Sequence, residues 1–246
     1  MSIIPTRSDA SDKARRTINK YFLLVAGRAF ADVKRACTSN PFSFRYIGDL
    51  LLAEAAFFRN CTEYSAYRRS AAETPARGPM LVIICAQTHQ WLRADPALEA
   101  YLGYSREEME ADWGVTLHPD TRRETERRIT QIYRELTSGK MPYCRAEVRY
   151  HTRDGYSVWA DVTHSLVRDR YGRPDRYVLA LEDGSLAHWT ELFYTVLVGL
   201  HRIMDLSAYQ GPFRVQVEGL IRHYNGEAVE PAVLGELAEL LGTTTV

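Results

Sequence analysis

Cys144-Arg-Ala-Glu-Val-Arg-Tyr150, the turn Thr152-Arg-Asp-Gly155 and the run from Tyr156 to Val167 are the stretch that decides the fold. Cys144, Ala146, Val148 and Tyr150 alternate with Arg145, Glu147 and Arg149, the period-two pattern of a strand with one apolar and one polar face. Asp154-Gly155 supplies the positive-φ position that a tight hairpin needs. The run to Val167 alternates in the same way, Asp169-Arg-Tyr-Gly-Arg-Pro174 makes a second turn, and Tyr177 to Leu181 reads as a third strand. The result is a three-stranded antiparallel meander. Such a sheet needs helices over its apolar face. Its third strand is apolar on both faces, with Tyr177, Leu179 and Leu181 on one and Val178 and Ala180 on the other. The outer face is therefore expected to be covered too, by the flanking helices of the same chain or across a dimer.

Upstream of the meander, Met80-Leu-Val-Ile-Ile-Cys85 is a short β-branched run suited to a buried strand, one of two strand-like pieces. Three helical pieces follow: Pro96 to Tyr101, Ser105 to Ala111, and a longer one opening at Pro119-Asp120 with Ile129, Ile132, Tyr133 and Leu136 as its stripe. Before this zone the chain reads helical from Ser8 to about Glu73. Ser11 or Asp12 stands as an N-cap, Ile18, Phe22, Val25, Ala29 and Val33 fall at helical spacing, and Thr38 to Pro41 makes a break. The second helix there is expected to use Ile47, Leu50, Leu51, Phe58 and Cys61. After the meander, Leu186, Trp189, Phe193, Val196, Leu200 and Ile203 step by three and four, a heptad seam. Phe213, Val217, Leu220, Ile221 and Tyr224 make a further amphipathic helix, and Pro231 opens a short last one with Val233, Leu234, Leu237 and Leu241. The expected organisation is an N-terminal helical region over 1–77, an α+β domain over 78–184 and a C-terminal helical region over 185–246.

Composition narrows the function classes. Of 246 residues, 46% are hydrophobic and 25% charged, ordinary values for a globular protein, and 31 Lys and Arg balance 31 Asp and Glu. A zero net charge lacks the long-range basic field of a protein whose main partner is nucleic acid or an anionic membrane. The apolar runs Tyr21 to Ala26 and Leu192 to Leu200 fall short of the roughly 18 to 20 residues that span a bilayer. The N-terminus carries no signal-peptide pattern. Cys37, Cys61, Cys85 and Cys144 stand far apart without zinc spacing, which fits free thiols of a reducing compartment, so a cytoplasmic location and no metal site are expected.

Five segments of the middle zone, in order, resemble the PAS family, in the subgroup that carries a downstream PAC motif. They are Ala97 to Met109 with its Leu-Gly-Tyr-Ser core, Leu117-His-Pro-Asp120, Glu147 to Gly155 with Val158-Trp159, Val167 to Pro174, and Leu181-Glu-Asp183. The resemblance covers about residues 79–183 and leaves the flanking helices unassigned. It implies a five-stranded antiparallel sheet with helices on one face and a space between them that either holds a ligand or is packed. It also allows two cofactors to be weighed. A flavin photoreceptor of the LOV type needs a cysteine in the stretch matching Ala111 to Arg123, which has none. Haem-binding members use a histidine on the pocket-lining helix; the helix expected after Asp120 has none, and His118 precedes it in a turn. The cofactor, if any, stays open.

Strand parity places His164 with Val158, Ala160, Val162 and Leu166 on the helix-covered side. There it reads either as a pocket residue that bonds or ligates something, or as a core histidine with a protein partner. Tyr133, Cys144, Val162 and Ile132 are expected to share that interior. Glu107-Glu108, and Asp161 with Glu147, read as solvated charge, and Arg122-Arg123 and Arg127-Arg128 alternate with Glu124 and Glu126 as an exposed helix face. The expected function is a PAS signalling or regulatory protein, not an enzyme. It would sense a small ligand or mediate association, and pass the signal through the heptad helix (Leu186, Trp189, Phe193, Val196, Leu200, Ile203) to a second subunit in a homodimer or to a separate signalling protein. The alternatives are a transcription regulator with DNA-binding helices and an enzyme using a cofactor in the PAS cavity.

Overall fold

Alternation and turn chemistry act as read in the middle of the chain. The computed structural model describes residues 7–73 and 78–227. Strands β1 (Met80–Cys85), β2 (Trp91–Ala94), β3 (Tyr143–His151), β4 (Ser157–Arg168) and β5 (Pro174–Asp183) form one sheet in the order β2-β1-β5-β4-β3, every neighbouring pair antiparallel. Gly155 takes φ 85° in the β3–β4 turn, where a Cβ would be strained. Burial along β4 alternates residue by residue from Val158 to His164, as a sheet with one covered face requires.

Helices α1 (Arg7–Ser39), α2 (Ile47–Glu73), α3 (Pro96–Leu102), α4 (Arg106–Ala111), α5 (Arg122–Thr137), α6 (Ser185–Leu206) and α7 (Phe213–Tyr224) complete the described elements, with 3-10 turns at Phe44–Tyr46 and Trp113–Thr116. Local capping sets the ends of α3 and α4. Asp95 accepts from the Ala97 N–H, and Ser105 with Glu108 makes a reciprocal capping box. Two expected starts move. The helix read from Ser11 or Asp12 already includes Arg7. The helix read from Pro119-Asp120 begins at Arg122, because the Thr121 N–H donates to the His118 carbonyl and the Asp120 N–H to His118 Nδ1, closing a turn first. The short helix expected from Pro231 lies outside the described residues.

The chain divides into two compact units, 63–188 and the combination of 1–62 with 189–246. The helices read as separate N-terminal and C-terminal regions therefore contribute to one helical unit, and the unit holding the sheet takes the last turns of α2 and the first turn of α6.

In the helical unit, Phe22 of α1 stacks on Phe193 of α6 with centroids 4.9 Å apart and meets Phe57 of α2 edge-on. On α2, Leu50 is buried as expected, but Leu51 and Phe58 are exposed and Phe57 takes the buried place expected of its neighbour Phe58. Trp189, Phe193, Val196, Leu200 and Ile203 are all buried in the single chain. The seam is therefore covered within its own chain.

In the unit holding the sheet, the polar face of β3 and β4 is covered from both ends. Arg149 pairs with Glu63 at 3.3 Å, and His188 stacks on Trp159 at 3.6 Å. Farther across that face Leu81 stays exposed, and Ile83, Val178 and Ala180 are half-buried.

Candidate functional site

The apolar face of the sheet and helices α3 to α5 do not close on each other. They enclose a cavity of about 760 Å³. Two rows of cross-strand partners form its floor. Val82, Leu179 and His164 stand opposite one another across β1, β5 and β4, and Ile84 and Tyr177 make the next row. Helix α5 supplies Ile129, Thr130, Tyr133, Arg134 and Thr137 as the facing wall, while Leu98, Leu102 and Met109 close one end. His89 lies at the rim in the β1–β2 turn, with φ 59° and its ring about 6 Å from those of Tyr133 and Tyr177.

The lining is aromatic and nearly uncharged. Tyr133 and Tyr177 stack face to face at 4.1 Å, and Tyr177 shares a 2.8 Å hydroxyl–hydroxyl bond with Thr137. Trp91, Trp113 and Tyr150 add further rings. Burial pushes the Tyr133 and Tyr150 phenols well above their ordinary range, so both stay protonated. Among the described lining residues, Arg134 is the one with a formal charge, and it is exposed.

His164 stands out against this wall. It is 1% exposed, lines the cavity, and meets Tyr133 edge-on at 5.9 Å. No protein group among the described residues bonds either ring nitrogen. Burial, and secondarily the positive charge of Arg128, lowers its pKa to about 4, so it is neutral at physiological pH. Buried polar atoms normally have a partner, and each one left without costs about 1 to 3 kcal/mol.

Of the other residues expected in the interior, Tyr133 lines the cavity beside His164. Ile132 is buried but turned about 100° around α5 from Tyr133, outside the cavity wall. Val162 is fully buried one cross-strand row away, opposite Leu181 and Ala146, and is not part of the wall. Cys144 pairs with His164 on the edge strand and is half-buried outside the wall. These three are corrections: parity identifies the covered face but not which part of it is hollow. His118 is also outside the wall, with its Nδ1 used in the turn before α5.

A junction that residue patterns alone did not single out lies where β5 ends. Three elements meet at the Asp183 carboxylate: Tyr67 of α2 donates at 3.3 Å, Tyr101 of α3 at 3.1 Å, and the Ser185 N–H opening α6 at 3.0 Å. Ser185 Oγ in turn bonds the Trp159 backbone on β4. The sequence signal was present in Leu181-Glu-Asp183, which marks the end of the resemblance.

The PAS fold family model matches residues 92–180. This segment is a PAS domain. The chain is 34% identical over 126 residues to the protein named "Probable diguanylate cyclase DgcE" of Escherichia coli strain K12, a match covering 51% of this chain and 10% of that protein. Among solved structures it is similar to the N-terminal domain of a diguanylate cyclase with PAS/PAC sensor from Marinobacter aquaeolei, at 26% identity and TM-score 0.39, covering 45% of this chain and 98% of that one. It is also similar to the PAS domain of the fruit-fly ELK potassium channel, at 18% identity and TM-score 0.37, covering 44% and 87%. The chain thus spans about a tenth of the length of its curated relative. The PAS domain is a sensor domain of the kind found in signalling proteins. No helix among the described residues is long and apolar enough to cross a membrane.

Proposed function

We propose that the chain is a non-catalytic signalling module whose PAS domain binds a small ligand against His164 and reports its occupancy, through the flanking helices, to a separate partner protein. The observation carrying this reading is the 760 Å³ cavity with a buried imidazole that no protein group among the described residues bonds. A volume of that size suits a drug-sized molecule. The route outward is short. Tyr177, Leu179 and Leu181 of β5 line the cavity, and the same strand ends at Asp183, where α2, α3 and α6 are tied together. A shift of β5 on ligand binding would bear on all three bonds. The similarity to DgcE supports a signalling context and covers a tenth of that protein, so its activity is not transferred.

The test is extraction. Purified chain is precipitated with methanol and the supernatant analysed by mass spectrometry beside Leu179→Trp, which fills the cavity. A small molecule near one equivalent in the wild type and absent from the variant is the expected result. Two equally empty extracts, together with no ligand-induced change in the melting temperature of the wild type, would overturn the reading.

A further inference from the structure

The lining restricts what the cavity can hold. An anion taken inside would need a buried positive partner, and Arg134, the one formal charge among the described lining residues, is exposed. A buried cation would need a carboxylate, and the described wall has none. Of its aromatic faces, those of Tyr133 and Tyr177 are turned to each other at 4.1 Å. Isolated charge in such a site carries a desolvation penalty of several kcal/mol. The groups facing His164 agree: Tyr133 and Arg128 from α5, Cys144 from β3, and Leu179 and Tyr177 from β5, with His89 at the rim beyond the tyrosines and no carboxylate. A neutral imidazole offers one N–H donor and one lone pair, and its tautomer decides which nitrogen presents which.

Resting on the proposed sensing role, we infer that the ligand is an uncharged molecule with an apolar body and an amide-type edge, able to donate and accept, that meets His164. The apolar body fills the cavity beside α5, and the amide edge supplies what the imidazole lacks from the described protein groups. A ligand of pure hydrocarbon would bury His164 still unpaired. A carboxylate would have to bring a proton to it.

Calorimetric titration of the full chain with four matched probes tests this: 2-naphthamide, 2-methylnaphthalene, 2-naphthoate and 2-naphthyltrimethylammonium. At pH 7, naphthamide is expected to bind about tenfold tighter than each of the others, the ratio one satisfied buried hydrogen bond produces. His164→Phe should bring naphthamide and methylnaphthalene within about twofold of each other. His164→Gln, which keeps an uncharged donor and acceptor, should restore the preference and serves if the Phe variant folds poorly. Preference for naphthoate, with one proton taken up on binding and affinity rising as pH falls, would overturn the inference while leaving the sensing role standing. So would preference for the ammonium probe, or equal binding of amide and hydrocarbon while the extract contains a ligand. If none of the probes binds and the extract is empty, the sensing role falls and this inference with it.

Discussion

Asn19 of α1 and His164 of β4 are both buried polar side chains, 0% and 1% exposed, and the two units treat them differently. In the helical unit Asn19 Nδ2 donates to Thr190 Oγ1 at 3.2 Å and its Oδ1 accepts from the Tyr224 hydroxyl at 2.8 Å, so one amide ties α1 to α6 and α7. In the PAS unit neither nitrogen of His164 bonds a protein group among the described residues, and the ring lies beside a cavity. The first arrangement is a structural lock. The second costs stability unless something else fills it, and folding alone gives no reason to retain it. The apolar residues differ likewise: Phe22, Phe193 and Leu200 of the helical unit are fully buried, while Leu179 of the PAS unit faces a cavity.

The largest expected effect separates solid from hollow. Leu200→Ala removes a fully buried side chain and should cost about 3 kcal/mol. Leu179→Ala deletes the same atoms from a wall that already faces empty volume, and about 1 kcal/mol is expected. Equal losses in urea unfolding would mean the cavity collapses in solution, and the comparison would fail. Next comes the polar pair. Asn19→Leu strips the acceptor from Tyr224 and the donor from Thr190, and a loss of about 2 kcal/mol is expected. His164→Phe breaks no hydrogen bond to a described residue and removes two unpaired buried nitrogens, so in ligand-free protein it should leave stability unchanged or raise it by up to about 3 kcal/mol. A loss as large as that of Asn19→Leu would show that His164 has a structural partner after all.

Much of the PAS unit was legible because period-two alternation is phase-specific. Cys144 to Tyr150 and Val158 to Leu166 can face the helices in one way only, and Asp-Gly at 154–155 fixes the turn between them. The α2 stripe was not legible for the opposite reason. Leu50-Leu51-Leu52 and Phe57-Phe58 are apolar on adjacent positions, so a rotation of about 100° leaves the pattern equally good, and only packing against Phe22 and Phe30 selects Phe57. The heptad seam of α6 carries no information about which chain covers it. The hollow had no signature either: Ile132 and Val162 follow the same periodicities as Ile129 and His164, yet only the latter pair faces empty volume. His164 was found as a polar residue on an apolar parity; its lack of a partner depends on what α5 places opposite, which no local pattern contains.

The smallest effect is a pH slope, and it distinguishes the two buried groups by kind. The imidazole of His164 titrates near 6.5 in an unfolded chain and at about 4 in the folded one, because burial and Arg128 disfavour its charged form. Between those values the unfolded state takes up the proton first, so stability falls as pH drops from about 6.5 towards about 4 and levels off below, at most about 1.4 kcal/mol per pH unit. Other carboxylates and histidines titrate in the same window, so the informative quantity is the wild type minus His164→Phe, in which they cancel. That difference should move by about 1 kcal/mol against the wild type between pH 6 and pH 5. The corresponding difference for Asn19→Leu should stay flat, since an amide does not titrate. Parallel pH curves for wild type and His164→Phe would mean that the imidazole titrates alike folded and unfolded, whereas a difference moving in favour of the wild type as pH falls would mean that His164 already holds a proton when folded. A buried positive charge would then face the cavity, and the ligand it favoured would be an anion.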